Sequence, residues 1–145
     1  MELEGKYYIT KALLLIGSGL YQQNSNKDSL GNMMPIPSAG AKGGISYSAN
    51  GFIASAFNIY EGKLDKRYTS VGNPNPGSYN LLNVNIQYDL NKLLKVKTLG
   101  KVAICLETYN LLDENVWLPA TGLVTSSSLP VIQGRSIFAG INATF

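Results

Sequence analysis

Hydrophobic and polar positions alternate along most of this chain with a period of two. The strictest case is residues 81–90, where Leu82, Val84, Ile86, Tyr88 and Leu90 fall on one side and Leu81, Asn83, Asn85, Gln87 and Asp89 on the other. Successive side chains of an extended strand point to opposite faces, so this pattern predicts a strand whose two faces meet different surroundings. A second case closes the sequence: Ile137, Ala139, Ile141, Ala143 and Phe145 form an apolar row against Gly140, Asn142 and Thr144. The termini of water-soluble domains are as a rule polar and frayed. An apolar row running to the last residue predicts cover by a second sheet or by lipid. Weaker alternation predicts five more strands, near 3–8, 13–23, 39–48, 52–60 and 102–109, the second with its faces left open by the unbroken run Leu13-Leu14-Leu15-Ile16.

Turn formers set the connections. Asn50-Gly51 is the strongest short hairpin signal in the sequence, because both residues accept the positive φ of a two-residue turn. Residues 24–37, 63–78 (containing Asn73-Pro74-Asn75-Pro76-Gly77) and 110–132 read as long loops, and 91–100 as a turn of moderate length. The connections therefore run short, long, short, long, moderate, long, which puts the long loops at one end of a meander and the short turns at the other. Transmembrane β-barrels are built this way, with short periplasmic turns and long external loops, and a tilted strand of about ten residues spans the bilayer. Tyr7, Phe52, Tyr88 and Phe145 fall near the short-turn end, where an interfacial aromatic girdle would sit. The predicted fold is all-β: an antiparallel transmembrane β-barrel segment of about seven meander strands. A soluble sandwich or lipocalin-like barrel is the competing architecture; the scarcity of charge on either strand face argues against it.

Composition supports this reading. Of 145 residues 45% are hydrophobic but only 14% charged, against roughly 25% charged in ordinary soluble domains. The polar positions are mostly Asn, Ser and Gly, which suit a hydrogen-bonding interior better than a charged exterior. A net charge of +3 with dispersed lysines gives no support to nucleic-acid binding. Lysines cluster only at Lys92, Lys95, Lys97 and Lys101, a grouping read as a solvated turn in preference to an anion site. Histidine is absent and Cys105 is the single cysteine, which removes Ser-His-Asp and Cys-His catalysis, histidine-ligated zinc or haem, and an internal disulfide. Asp89 and Glu107 are the carboxylates on the polar side of the clearest strands, and nothing in their spacing brings them together as an acid–base pair; the chain is read as a non-enzyme without cofactor or metal. No apolar run is long enough for a membrane-spanning helix. The run from Ala12 to Leu20 is an alternative signal-peptide core, disfavoured because Glu2 and Glu4 cancel Lys6 and Lys11.

Three pieces of the chain together resemble the C-terminal end of a TonB-dependent outer-membrane receptor. Residues 81–90 are similar to its antepenultimate strand. Residues 109–120, with Asn110-Leu111-Leu112-Asp113 where the family has Asn-Leu-Phe-Asp, are similar to the end of its penultimate strand. Residues 134–145 are similar to its closing strand. The resemblance implies that residues 1–145 are the last strands of a barrel of about 22, with the plug domain, the TonB box and the earlier strands lying elsewhere. It implies localisation in the cell outer membrane and a share in importing a scarce solute such as a siderophore, haem, cobalamin or glycan. Its partners would be outer-membrane lipid, the barrel-assembly machinery, the TonB complex acting through the plug, and the solute. Gly140, Ala143 and Phe145 match the spacing of the assembly signal, with Ala143 smaller than the family's usual residue and Phe138 standing where a polar one is common. Asn83, Asn85, Gln87, Asp89, Glu107 and Asn142 are the expected lumen-facing residues, and Arg67, Tyr68 and Trp117 the loop residues that could touch solute. Of these, Trp117 is better suited to anchoring at the interface than to touching solute.

Alone, such a piece is expected to be an open sheet with two unpaired edges. The alternative is a complete eight-stranded outer-membrane barrel with a structural or adhesion role, whose extra strand would lie within 110–132. A soluble barrel holding a small apolar ligand is the third reading.

Overall fold

The computed structural model of the protein describes residues 1–23, 37–63, 73–94, 100–119 and 128–144. Its strands are β1 (Glu2–Tyr8), β2 (Leu13–Tyr21), β3 (Ala39–Ala49), β4 (Phe52–Glu61), β5 (Tyr79–Asp89), β6 (Lys101–Tyr109), β7 (Trp117–Pro119), β8 (Ser128–Pro130) and β9 (Ser136–Thr144), with one short helix, α1 (Leu90–Leu94). Seven of the strands form a single sheet in the order β1-β2-β3-β4-β5-β6-β9, every neighbouring pair antiparallel. The expected all-β antiparallel meander is therefore present. The sheet is not closed: β1 pairs only with β2, and β9 only with β6.

Local chemistry explains the turns. Asn50 (φ 52°) and Gly51 (φ 82°) close the β3–β4 hairpin with both central residues in the left-handed region, the geometry of a type I′ turn, whose twist matches that of the strands. Thr10 closes the β1–β2 turn by accepting hydrogen bonds at Oγ1 from the amides of Ala12 (3.1 Å) and Leu13 (3.0 Å).

Two connections differ from the sequence reading. The stretch read as a turn over 91–100 begins as a helix, because β5 stops at Asp89 and Leu90 enters α1, and residues 95–99 lie outside the described residues. The Asp89 carboxylate accepts from the Asn91 amide at 2.9 Å, which starts the helical turn in place of another strand residue. Asn91 then clips the connection shut, its Nδ2 donating to the Gly100 carbonyl (2.7 Å) and its Oδ1 accepting from the Val102 amide (2.9 Å). The third long loop, in turn, contains the β7–β8 ribbon, which pairs with itself and not with the sheet. Among the described residues, then, the seven-stranded sheet gains no eighth strand.

Among the described residues no second layer packs on the sheet: contacts between its strands run along it, from each strand to its neighbours. The only buried hydrophobic residues described are Ala103 and Val116, whereas Ile45, Ile104, Leu106, Ile137 and Ile141 are exposed. The chain's accessible surface is 10727 Å², where a compact monomer of this size would show about 7,300 Å². Each large apolar side chain left in water forgoes about 1.5–3 kcal/mol of burial, so this sheet has an apolar face in want of an apolar neighbour.

Candidate functional site

Register assigns every strand residue to a face, since paired residues point the same way and neighbours along a strand point oppositely. Leu15, Ile45, Ala56, Val84, Thr108 and Ile137 form one such row across six strands. The face they define carries no charged residue. Glu2, Glu4, Lys6, Lys42, Glu61, Asp89 and Glu107, the charged strand residues whose side chains are described, belong to the other face. Such segregation separates a face that must avoid charge from one that tolerates it.

The apolar face is bounded at both ends. At the short-turn end Tyr47, Phe52 and Tyr88 form a chain of ring contacts, with centroids 6.3 Å apart for Tyr47–Phe52 and 6.2 Å for Phe52–Tyr88, and Tyr7 continues the row on β1. At the long-loop end stand Tyr21, Tyr60 and a polar pair, Asn58 Nδ2 donating to Asn80 Oδ1 at 3.1 Å. From Phe52 to Tyr60 along β4 the rise is about 26 Å at about 3.3 Å per residue. At a tilt of about 40° this becomes about 20 Å, close to the apolar band of roughly 25 Å on membrane barrels.

The charge-bearing face gathers the six polar residues singled out from the sequence. Asn83, Asn85, Gln87 and Asp89 run along β5, Glu107 pairs with Asn85, and Asn142 pairs with Ala103, which in turn pairs with Asp89. Asn85 Nδ2 donates to Glu107 Oε1 at 3.3 Å, and Tyr109 Oη donates to Glu107 Oε2 at 3.2 Å. The Tyr109 ring meets Phe138 edge-on at 6.0 Å, which accounts for an aromatic at 138 on this face. Asn142 Nδ2 lies 3.8 Å from Cys105 Sγ as a weak donor. This face is not uniformly polar: Leu14, Ile16, Ile53, Phe57 and Ile59 share it. Phe57 lies over Gly44, where an added Cβ would meet its ring at 2.5 Å. The open question of the β2 faces is thus settled, with Leu13 and Leu15 on the apolar side and Leu14 and Ile16 on the other.

At the long-loop end the chain is knotted around Asn110, buried to 3% exposure with φ 50°. Its backbone amide donates to Asn83 Oδ1 (3.0 Å), its Nδ2 donates to the carbonyls of Glu114 (2.9 Å) and Gln133 (3.2 Å), and its Oδ1 accepts from the Glu114 amide (2.9 Å). Asn tolerates the left-handed region better than other side chains, so one residue turns the chain and ties β5 to the segments at Glu114 and Gln133. Asp113, also at positive φ (58°), accepts from the Arg135 amide at 2.8 Å and ties the start of the loop to the approach to β9. The ribbon is fixed beneath: Val116 is 2% exposed, and the Val131 amide donates to its carbonyl at 3.1 Å. Ser128, fully buried, donates to the Pro74 carbonyl at 2.5 Å while its own carbonyl accepts from Asn73 Nδ2 at 2.9 Å. The two loops that follow β4 and β6 are therefore joined into one structure.

Of the remaining sequence-derived positions, Gly140 and Ala143 lie in β9 on opposite faces, and Trp117 lies in the β7–β8 ribbon opposite Pro130. Phe145, Arg67 and Tyr68 lie outside the described residues. Asn110 and Ser128 were not among the predicted site residues. Asn110 was legible as the first residue of the Asn110-Leu111-Leu112-Asp113 motif after a strand, but Ser128 sits in a run of three serines with nothing to single it out. Among the described residues no three His, Cys, Asp or Glu side chains are grouped to hold a metal ion. No protein-family model matches the chain, and no curated protein matches it significantly.

Proposed function

We propose that this chain is wall and loop structure of an outer-membrane β-barrel of the TonB-dependent receptor kind, the part that closes the barrel and contributes external loops to the uptake of a scarce solute. The observation that carries the reading is the segregation of charge. Seven described charged strand residues share one face, while the other is charge-free, banded by aromatics and uncovered by any described element. Lipid is the surrounding in which such a face costs nothing, and a sheet placed there must have every backbone group paired. The two open edges of the sheet fit a wall completed by further strands. Solute specificity in this reading belongs to the loops at the Asn110 end, which the corner and the Ser128 contacts hold as a unit.

The test is spin-label accessibility along β5 in outer membranes of cells carrying the native gene. Labels at Val84 and Ile86 should be reached by oxygen, and labels at Asn85 and Gln87 by a water-soluble nickel chelate. Equal access by both probes at all four sites would sink the reading. The DNA upstream of the first codon provides a second check, since the proposal requires a continuous frame encoding more alternating strands and a plug.

A further inference from the structure

Among the described residues charge is unequally divided between the two ends of the sheet. The short-turn end carries Lys11 and Lys92 against Asp89, whose carboxylate is occupied in starting α1. The long-loop end carries Glu2, Glu4, Glu61, Asp113 and Glu114 against Lys42, Lys63 and Arg135. One rim is net basic and the other net acidic.

At the basic rim α1 is held in place on three sides: by the Asp89 carboxylate, by the Asn91 clip to Gly100 and Val102, and by Lys92, whose stem lies over the β3–β4 turn so closely that a Cβ on Gly51 would meet its Cδ at 2.7 Å. The Lys92 side chain is exposed, and Leu94, two residues on, is 65% exposed. The Tyr47–Phe52–Tyr88 row begins at this same turn. An exposed leucine, a lysine with its stem laid along the protein, and a tier of aromatics at one level make the chemical profile of a headgroup boundary.

We infer that the α1 rim binds the anionic headgroups of phospholipids in the leaflet at the short-turn end, with Leu94 dipping into the acyl boundary and Lys92, supported by Lys11 farther round the rim, meeting the phosphates. The inference rests on the bilayer-spanning reading above and adds the lipid class. A basic side chain at a membrane surface is worth about 1 kcal/mol, or about fivefold in occupancy.

The experiment places the photo-crosslinker p-benzoylphenylalanine at Leu94, and separately at Ile86 on the apolar face, in cells carrying the native gene; captured lipids are identified by mass. Ile86 should capture phospholipid with the headgroup composition of the bulk membrane. Leu94 should capture phospholipid enriched about fivefold in anionic classes, and Lys92→Glu should abolish that enrichment while leaving capture at Ile86 unchanged. Failure of Ile86 to capture lipid would refute the bilayer reading itself. Normal capture at Ile86 with bulk-composition lipid, a protein adduct or no lipid at Leu94 would overturn this inference and leave the bilayer reading standing.

Discussion

Replacing Asn110 with alanine tests the corner that joins the sheet to its loops. The substitution removes three side-chain hydrogen bonds, two to carbonyls and one from the Glu114 amide, at a site 3% exposed where water cannot readily take their place. At about 1 kcal/mol for each bond, that loss is about 3 kcal/mol. The backbone adds to it: at φ 50° alanine is disfavoured by about 1 kcal/mol where asparagine is tolerated. The loop should therefore open about 100- to 1,000-fold more often, since each 1.4 kcal/mol is about tenfold. Hydrogen exchange of the detergent-folded full chain reads this at the Val131 amide, whose bond is to Val116 and is not itself deleted. Amides of the β3–β4 hairpin serve as the unchanged reference. Asn110→Gly separates the two contributions, because it loses the same bonds but accepts the backbone angle, and should be milder by about 1 kcal/mol. Unaltered protection of Val131 in the alanine variant would refute the idea that Asn110 holds the ribbon. Equal effects of alanine and glycine would refute the backbone contribution.

Three further outcomes are expected. Val84→Arg, midway along the apolar face, should lower the yield of folded protein in the outer membrane and cost about 2–4 kcal/mol, while Asn85→Arg on the opposite face is tolerated; folded yield and urea midpoint in lipid measure both. Gly44→Ala should destabilise the sheet by about 1–3 kcal/mol, because its new methyl would stand 2.5 Å from the Phe57 ring, and Phe57→Leu in the same chain should recover part of the loss, as thermal unfolding of single and double variants would register. Cys105, on the charge-bearing face beside Asn142, should react with a water-soluble maleimide in intact outer membranes, whereas a cysteine placed at Ile104 in a Cys105→Ala background should resist it.

The sheet was legible in the sequence because its signals are local. Alternation at 81–90, the Asn50-Gly51 pair and the closing apolar row each depend on residues only a few positions apart, and period two fixes faces as soon as strands are aligned. Reading failed where a strand carries apolar residues on both sides. Leu13 to Ile16 gave no phase, and pairing with β3 alone decided it. It failed also where structure depends on contacts far apart in sequence. Ser128 and Pro74 are unrelated by any pattern, yet one hydrogen bond between them joins two loops. Leu90 was misplaced for a third reason: it keeps the strand's alternation, but the Asp89 carboxylate captures the Asn91 amide and turns the chain into α1 before the pattern runs out.

The direction of the two edge strands constrains how the proposed barrel wall would be completed. In a meander of seven antiparallel strands the first and last run the same way, and here β1 and β9 both run from the long-loop end to the short-turn end. Joining these two edges directly would make a parallel seam in an otherwise antiparallel sheet, with the slanted and slightly weaker ladder that parallel pairing brings. Completion with every pair antiparallel requires an odd number of additional strands, the first and last of them running upward against β1 and β9. The β7–β8 ribbon does not supply them, since its two strands pair with each other and not with the sheet. Even strand counts are the habit of bacterial outer-membrane barrels, and seven plus any odd number is even. Disulfide trapping decides between the two closures in a cysteine-free background. A cysteine at Ile141 or Gly140 on the free edge of β9 should not cross-link to one at Gly5 or Lys6 on β1 in native membranes. An efficient Ile141–Gly5 cross-link would mean that the edges meet directly, and that the wall closes on a parallel seam without further strands.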